Sequence, residues 1–459
     1  MKPLLRTPAV VNLELTEVCN VSCSHCYNPW RAESMGEVSL EKARLDEMID
    51  RLVGAGVFHV VLTGGEPMSK FKNLTHALRR LAENNISTSC NSNLMLATDA
   101  RCKELRALGL DHILTSLPSC EPDVTDAIMN KIGAYEKIME GIENAVNNGI
   151  RVSVNMVISR TTAKQVYRTG ELVAAKGVQK LFVTRAVPPH YASAEVLAEL
   201  QPPPEEVIAA LDDALRVKED FGIMIGTLVS YPLCFLGDLE KYRDFVGRGC
   251  PGQSGQLLSI HATGETHSCV HETDGPGNVL EKSVEEVFNS ASARAWHSGT
   301  HHYVGCEGCH YIDVCATGCR MTSLGVNGTL DGKDPLFAGK HAFTREFDIV
   351  TNEAEVEMID DGASFIAPQR LRFRKEDGFF LLNIRWANSI RVNNDVAKFL
   401  VEHHESGMSF TAADFGLDRK DYLEYLLFKD AVEMVDQEIS DLRRYAGLGL
   451  DNKAPLIDA

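Results

Sequence analysis

The sequence has no apolar run near the ~20 residues that a membrane-spanning helix needs, and no charged-then-apolar signal opens it. A spanning helix and a secretory signal are therefore not expected, and the expected location is the cytoplasm. The chain is also short of basic residues. Its 46 Lys and Arg face 64 Asp and Glu, for a net charge of −18. That balance argues against a nucleic-acid surface and against an anionic membrane face. Cysteine is missing from the whole stretch after Cys319, and the thirteen present are unevenly spread. In a reducing compartment they are poor candidates for disulfides, which makes metal or cluster ligation the default reading.

With 459 residues and 44% hydrophobic side chains, the chain can fill two or three ordinary soluble domains. Apolar, β-prone runs at about 10–16, 58–63, 111–116, 151–158 and 179–185, with a weaker one at 86–90, alternate with helical patterns. The helical stretches fall at about 40–53, 70–84, 98–108, 133–148 and 162–176. In the first of these, Leu40, Leu45, Met48, Ile49 and Leu52 share a face, and Gly54 is a plausible C-cap. Six β/α units in this order imply a parallel sheet with right-handed crossovers, open or curled into a partial barrel. Either form binds ligands at the carboxyl ends of its strands.

Two motifs stand at that end. "CNVSCSHC" after the first strand places Cys19, Cys23 and Cys26 in a C-x3-C-x2-C loop. A zinc or electron-transfer site normally takes four protein ligands. Three thiolates can hold three irons of a four-iron cluster and leave the fourth open to a small molecule, unless a further ligand such as His25 completes a zinc site. "TGGEP" after the second strand supplies Gly64 and Gly65, where backbone can approach a ligand closely, and the carboxylate of Glu66.

Together the two motifs resemble the radical SAM superfamily. The resemblance implies a partial (β/α)6 TIM-like barrel over residues 1–230. It also implies a four-iron, four-sulfur cluster on Cys19, Cys23 and Cys26 that binds S-adenosylmethionine (SAM), with Gly64, Gly65 and Glu66 as SAM contacts and Tyr27 at the adenine. Glu66 would meet the ammonium group. Ser116 in "HILTSLPSC" and Asn155 in "VSVNMVIS" are further SAM candidates by the same resemblance, and Arg185 would point into the barrel mouth. The chain departs from the family in "CNS" (Cys90, Asn91, Ser92) after strand three and in Lys131 of "NKIG". Cys90, Cys102 and Cys120 have no cluster spacing and read as buried thiols.

A second set runs Cys250-x13-Gly264-x4-Cys269, then Cys306-x2-Cys309-x5-Cys315-x3-Cys319. On C-x2-C alone this reads as a zinc ribbon. Downstream of the first motifs, it resembles the SPASM extension, over residues 231–350, which carries two auxiliary four-iron, four-sulfur clusters. "GQLLSIHATGETHSC" reads as its hairpin, with a turn at Ala262–Glu265. The resemblance gives one cluster to Cys250, Cys269 and Cys319, with Cys234 of "YPLCF" as the fourth ligand, and the other to Cys306, Cys309 and Cys315. The family's seventh cysteine is missing. Phe337 of "DGKDPLFAG" stands in its place, which leaves an open iron or a carboxylate ligand, Asp334 or Asp331.

Residues 360–445 read as short strands around an Asp-Gly turn followed by three helices, with Ser409 and Thr411 as caps. They resemble the small winged-helix-like α+β domain that holds precursor peptides in peptide-modifying enzymes by adding a strand to a sheet edge. A packing appendage is the plainer alternative, and Arg370, Arg372, Arg374 and Arg385 leave a nucleic-acid reading open despite the acidic balance.

The function these resemblances imply is a radical SAM oxidoreductase that abstracts hydrogen from a ribosomally made precursor peptide or protein and forms an oxidative crosslink, a thioether or a carbon–carbon bond. An electron donor such as flavodoxin or ferredoxin would serve it. The alternatives are oxidation of a protein side chain to formylglycine and, in a different class, a non-catalytic iron–sulfur electron carrier. A carrier gains nothing from an open, SAM-shaped site.

Overall fold

The computed structural model describes residues 4–26, 28, 38–189, 192–246, 250, 252–297, 305–315, 317–340, 342–344, 362–368, 371–385, 388–416, 420–429 and 431–435. The chain divides into two compact units, Met1–Glu346 and Phe347–Ala459.

The first unit is built on strands β1 (Val10–Glu14), β2 (His59–Thr63), β3 (Ser87–Asn91), β4 (His112–Ser116), β5 (Arg151–Ile158) and β6 (Lys180–Arg185). They pair in parallel and in sequence order. Helices cross between them: α1 (Lys42–Gly54), α2 (Phe71–Glu83), α3 (Asp99–Ala107), α4 (Pro122–Met129), α5 (Ala134–Asn147) and α6 (Val166–Ala175). All of β6 is buried, as expected of a strand covered on both faces. The helices bury one stripe each: Leu45, Met48, Ile49 and Leu52 on α1, and Leu74, Ala77, Leu78 and Leu81 on α2. Burying each of the larger side chains contributes about 1.5–3 kcal/mol.

Helix α1 runs one residue further than the sequence reading has it. Gly54 is its last helical residue, and the left-handed conformation falls on Gly56, with φ of 66°. The short α4, which starts on Pro122, lies outside the helical stretches read from the sequence.

Two more helices, α7 (Ala194–Leu200) and α8 (Pro204–Phe221), lead to β7 (Met224–Gly226), which adds to β6 in parallel. On the opposite edge, β8 (Leu257–Ile260) adds to β1 in parallel and turns back into β9 (Glu265–His267), followed by β10 (Gly277–Asn278). The sheet order is β10-β9-β8-β1-β2-β3-β4-β5-β6-β7, so β7 does not close onto β8 and the barrel is partial. The hairpin that brings Cys269 is thus part of the barrel sheet. It joins beside β1, the strand that delivers Cys19.

The second unit is α+β and winged-helix-like. Strands β12 (Arg372–Lys375), β13 (Phe380–Arg385) and β14 (Asn388–Val392) form an antiparallel meander, with Gly378 at φ 87° in the first turn. Helices Asn394–Ser406, Ala412–Phe415 and Lys420–Phe428 follow. A second small sheet, β11 (Ser364–Ile366) between β15 (Phe410–Thr411) and β16 (Glu433–Met434), was not legible because its strands are two or three residues long. Thr411 caps the second helix in a reciprocal box with Asp414. Phe365, Leu382, Ile390, Leu400, Phe410 and Leu423 lie in its core. Arg374 pairs with the buried Glu376, and Arg372 donates to Asn383, so two of the arginines kept open for nucleic acid are engaged within the unit. Arg370 and the side chain of Arg385 fall outside the described residues.

Candidate cofactor and metal sites

The carboxyl ends of the strands open onto a cavity of about 420 Å³. Cys19, Cys23 and Cys26 line it, together with Gly64, Gly65, Ser116, Asn155 and Arg185 from the ends of β2, β4, β5 and β6. Tyr27 lies outside the described residues. The cysteine loop is fastened from several sides. Ser22 and Ser24 donate backbone N–H groups to the Met129 and Ile128 carbonyls at the end of α4, and Cys23 Sγ lies 3.4 Å from Met129 Sδ. Lys131 reaches the Asn20 carbonyl at 3.2 Å, which gives that departure from the family pattern a structural use.

The Gly64–Gly65 turn packs directly on the chain entering the loop. Gly65 N–H donates to Thr16 O at 2.7 Å and Glu66 N–H to Val18 O at 2.9 Å. A Cβ on Gly64 would collide with the Thr16 carbonyl, and one on Gly65 with the carbonyls of Glu17 and Val18. These glycines are therefore required for backbone to stack on backbone, and the stack sets the cysteine loop against the β2 turn.

Glu66 does not face the cavity. Its side chain is buried and accepts three hydrogen bonds, from Met68 N–H at 2.9 Å, Ser92 Oγ at 2.8 Å and Asn93 N–H at 2.8 Å. Burial raises its pKa, and those three donors oppose the rise. The sequence reading aimed this carboxylate at the SAM ammonium; in the structure it ties the β2 turn to the β3 turn, and backbone is what that turn offers the cavity. Ser92 and Asn93, which receive it, carried no signal beyond the unusual "CNS". Asn93 Nδ2 in turn donates to Asn20 Oδ1 at 2.7 Å, inside the cysteine loop.

Asn28 is a further wall residue that sequence reasoning passed over. It is 4% exposed, donates to the Gly64 carbonyl at 3.3 Å, and leaves its Oδ1 buried without a protein partner. An unsatisfied buried acceptor at a cavity wall is a place for a ligand donor. Three thiols on one wall, a glycine turn without room for side chains, and this acceptor together fit a cluster with SAM beside it. At the other strand ends, Asn155 Oδ1 accepts from Thr184 Oγ1 at 2.6 Å, and Thr184 Oγ1 accepts from Leu228 N–H at 3.2 Å.

The same cavity is also lined by Cys250, Cys269 and Cys319. Cys234 is not with them. It lines a separate, small pocket with Cys306, Cys309, Cys315 and Phe337. The Leu233 N–H sits 3.4 Å from Cys315 Sγ. Burial pushes the Cys315 thiol up to about 12, with Cys234 and Cys306 adding to the rise. The grouping read from the resemblance is thus corrected: Cys234 stands with the second trio. The reason is the short helix Leu233–Leu236, which starts right after Pro232 and presents Cys234 to the Cys306–Cys315 loop.

Asp334 is corrected as well. It is 1% exposed and both oxygens are taken by Arg185, at 2.9 Å and 3.0 Å, while it also accepts from Cys319 N–H at 3.1 Å and Leu336 N–H at 2.9 Å. It cannot serve as a cluster ligand without breaking this fork. Burial works against the Arg185 charge, but Asp334 outweighs it and holds the guanidinium's pKa above its ordinary value. Asp331 is turned to Arg320, at 3.9 Å. Cys90 and Cys102 are fully buried, and Cys120 is half-buried.

A parallel partial barrel with a three-thiol loop after its first strand and a glycine turn after its second defines a SAM-dependent radical enzyme. The family comparison agrees. The Radical SAM superfamily model matches residues 13–173, so the chain carries a radical SAM domain over that stretch, and this domain implies a SAM-binding four-iron, four-sulfur cluster and SAM. Among relatives, the chain is 27% identical to the PqqA peptide cyclase of Ruegeria pomeroyi, over 73% of this chain and 88% of that one. It is 24% identical to the mycofactocin maturase MftC of Mycolicibacterium smegmatis, over 72% and 83%. Among solved structures, Streptococcus suis SuiB bound to its precursor peptide SuiA is similar in fold, with a TM-score of 0.58 at 14% identity over 72% of this chain and 76% of that one. Native anSMEcpe with AdoMet and a peptide bound gives 0.56 at 16% identity over 71% and 93%. No helix among the described residues is long and apolar enough to cross a membrane.

Proposed function

We propose that this enzyme modifies a ribosomally made precursor peptide, oxidatively joining two of its positions by a thioether or a carbon–carbon bond. The observation that carries the proposal is the single cavity lined both by Cys19, Cys23 and Cys26 and by Cys250, Cys269 and Cys319. The relatives named for a peptide cyclase and a peptide maturase support the peptide as substrate. A cluster held by Cys19, Cys23 and Cys26 would supply the one-electron reduction that cleaves SAM, and clusters held by the later cysteines would offer an acceptor for the electron the peptide gives up. The chain's own residues do the rest. Gly64 and Gly65 present backbone to the methionyl end, Asn28 offers Oδ1 as an acceptor, and Ser116 and Asn155 stand where the ribose would lie. Val21, Leu114, Val157, Val187 and Leu228 give the cavity apolar walls that keep water from the radical.

The second unit is the part we assign to peptide capture. Its meander pairs β13 on both sides and leaves β12 and β14 at the edges of a three-stranded sheet, where an extended peptide can add a strand. A chain ending at Glu346 is expected to retain SAM cleavage and to lose turnover of a full-length precursor, measured by mass spectrometry of the peptide. Unchanged turnover would reduce the unit to packing.

For the auxiliary clusters we propose Cys250, Cys269 and Cys319 around one, facing the cavity, and Cys234, Cys306, Cys309 and Cys315 around the other. In this reading Cys234 takes the seat of the missing seventh cysteine, and Phe337 contributes an apolar wall. Cys234→Ala should therefore leave this cluster on three thiolates and make it lose iron and sulfide to a chelator faster than the parent does, by up to about four of each per chain. Phe337→Cys alone should change nothing, and should restore the parent's iron retention when combined with Cys234→Ala. Iron and sulfide analysis of the three proteins after chelator treatment checks this, and iron as resistant to the chelator in Cys234→Ala as in the parent would return Cys234 to the ordinary buried thiols.

A further inference from the structure

One cluster of side chains outside the cysteine sites has chemistry that the proposed function does not use. Strands β8 and β9 pair with Ser259 opposite His267 and Ile260 opposite Thr266, and the His261 N–H donates to the Glu265 carbonyl at 2.8 Å. Because side chains alternate along a strand, this register puts His261, Glu265 and His267 on one face of the hairpin. Their ligand atoms all lie within 4.8 Å of one another. The parallel neighbour β1 adds Glu14, whose Oε1 is 3.9 Å from His261 Nε2.

Two observations set this group apart from histidines that only pack. The rings of His261 and His267 are 4.2 Å apart and only 7% and 2% exposed. Yet Nε2 of His261 and both ring nitrogens of His267 make no well-formed hydrogen bond, and for His267 only the Glu272 backbone offers a weak one. Buried polar atoms are nearly always satisfied, and a pair of close, tilted imidazoles with three nitrogens so poorly satisfied calls for a partner that protein atoms do not supply. A cation with affinity for imidazole and carboxylate is such a partner.

We propose that His261, Glu265 and His267, with Glu14 from β1, bind one zinc ion. Zinc takes His nitrogen and Glu oxygen at about 2.0–2.2 Å in a tetrahedron, which sets neighbouring donors about 3.5 Å apart. Ion binding would draw the three donors in from their spread of up to 4.8 Å, and Glu14 in from 3.9 Å. Glu265 is exposed and gives the ion its way in, whereas the histidines and Glu14 form the buried side. None of the four lines the cofactor cavity. The ion would staple the hairpin to β1: His267 lies two residues before Cys269, and Glu14 five residues before Cys19, so one ion would fix the approach of both cysteine sets. The zinc site stands apart from the proposed peptide chemistry.

The test uses the full chain with its iron–sulfur clusters in place, kept anaerobic, and titrated with zinc sulfate against a chromophoric zinc chelator. One zinc per chain should bind, and the melting temperature should rise on adding zinc. Glu265→Gln removes a charged ligand at an exposed position and should weaken zinc by at least about tenfold, since even outer-shell changes cost 10–100-fold. His267→Phe keeps a ring at that position and should abolish both the binding and the thermal shift, with iron and sulfide content unchanged. No zinc uptake by the parent chain, or equal affinity in Glu265→Gln and His267→Phe, overturns the proposal. If His267→Phe does not fold, the Glu265→Gln affinity alone decides.

Discussion

Replacing Cys19, Cys23 and Cys26 together with alanine is expected to abolish formation of 5′-deoxyadenosine under anaerobic reducing conditions, while the auxiliary iron stays bound. The three thiols share a cavity wall with the Gly64–Gly65 turn, and the backbone of the loop is pinned by α4 and by that turn. Removing the thiols takes away every sulfur that loop can offer, yet leaves those backbone contacts in place. The loss should therefore be chemical, and the protein should remain folded. Iron analysis beside a chromatographic assay for the nucleoside separates the two. A variant that still cleaves SAM at the parent rate would place the cluster elsewhere.

The second large effect is expected at Arg185 and Asp334. The pair is almost fully buried, at 4% and 0% side-chain exposure, and it joins the end of β6 to the segment just before Phe337. Breaking a buried pair by removing one partner typically costs about 3–5 kcal/mol, because the remaining charge is stranded. Asp334→Ala strands the guanidinium and also removes the acceptor for Cys319 N–H. We expect a fall in melting temperature and a weakened hold on the cluster at Cys250, Cys269 and Cys319. Arg185→Met together with Asp334→Ala removes both charges and should recover part of the lost stability. A double variant no more stable than Asp334→Ala would show that the pair's charge is not what matters there.

Much of this architecture was legible because its signals are local. Period-two and helical patterns repeat through the barrel, and C-x3-C-x2-C and TGGEP each lie within a dozen residues. The glycines have a second use that no local pattern announces: a Cβ on either would meet the carbonyls of Thr16, Glu17 or Val18, a contact across two strands. Glu66 has partners of the same kind: Ser92 and Asn93 come from the next strand's turn, beyond the reach of a local pattern. Cys234 and Asp334 were hard to place because the contacts that fix them are distant: the neighbouring Leu233 N–H meets Cys315, 82 residues away from Leu233, and Asp334 meets Arg185, 149 residues away. Spacing specifies ligands within one loop. It says nothing about which distant thiol or cation folds against that loop.

The measurement that bears most directly on the central claim is the fate of SAM with the reconstituted, reduced full chain. Cleavage to methionine and 5′-deoxyadenosine, dependent on reductant, is the result expected of the cluster and cradle described here. SAM that stays intact, or is converted to S-adenosylhomocysteine by methyl transfer without 5′-deoxyadenosine, would contradict it.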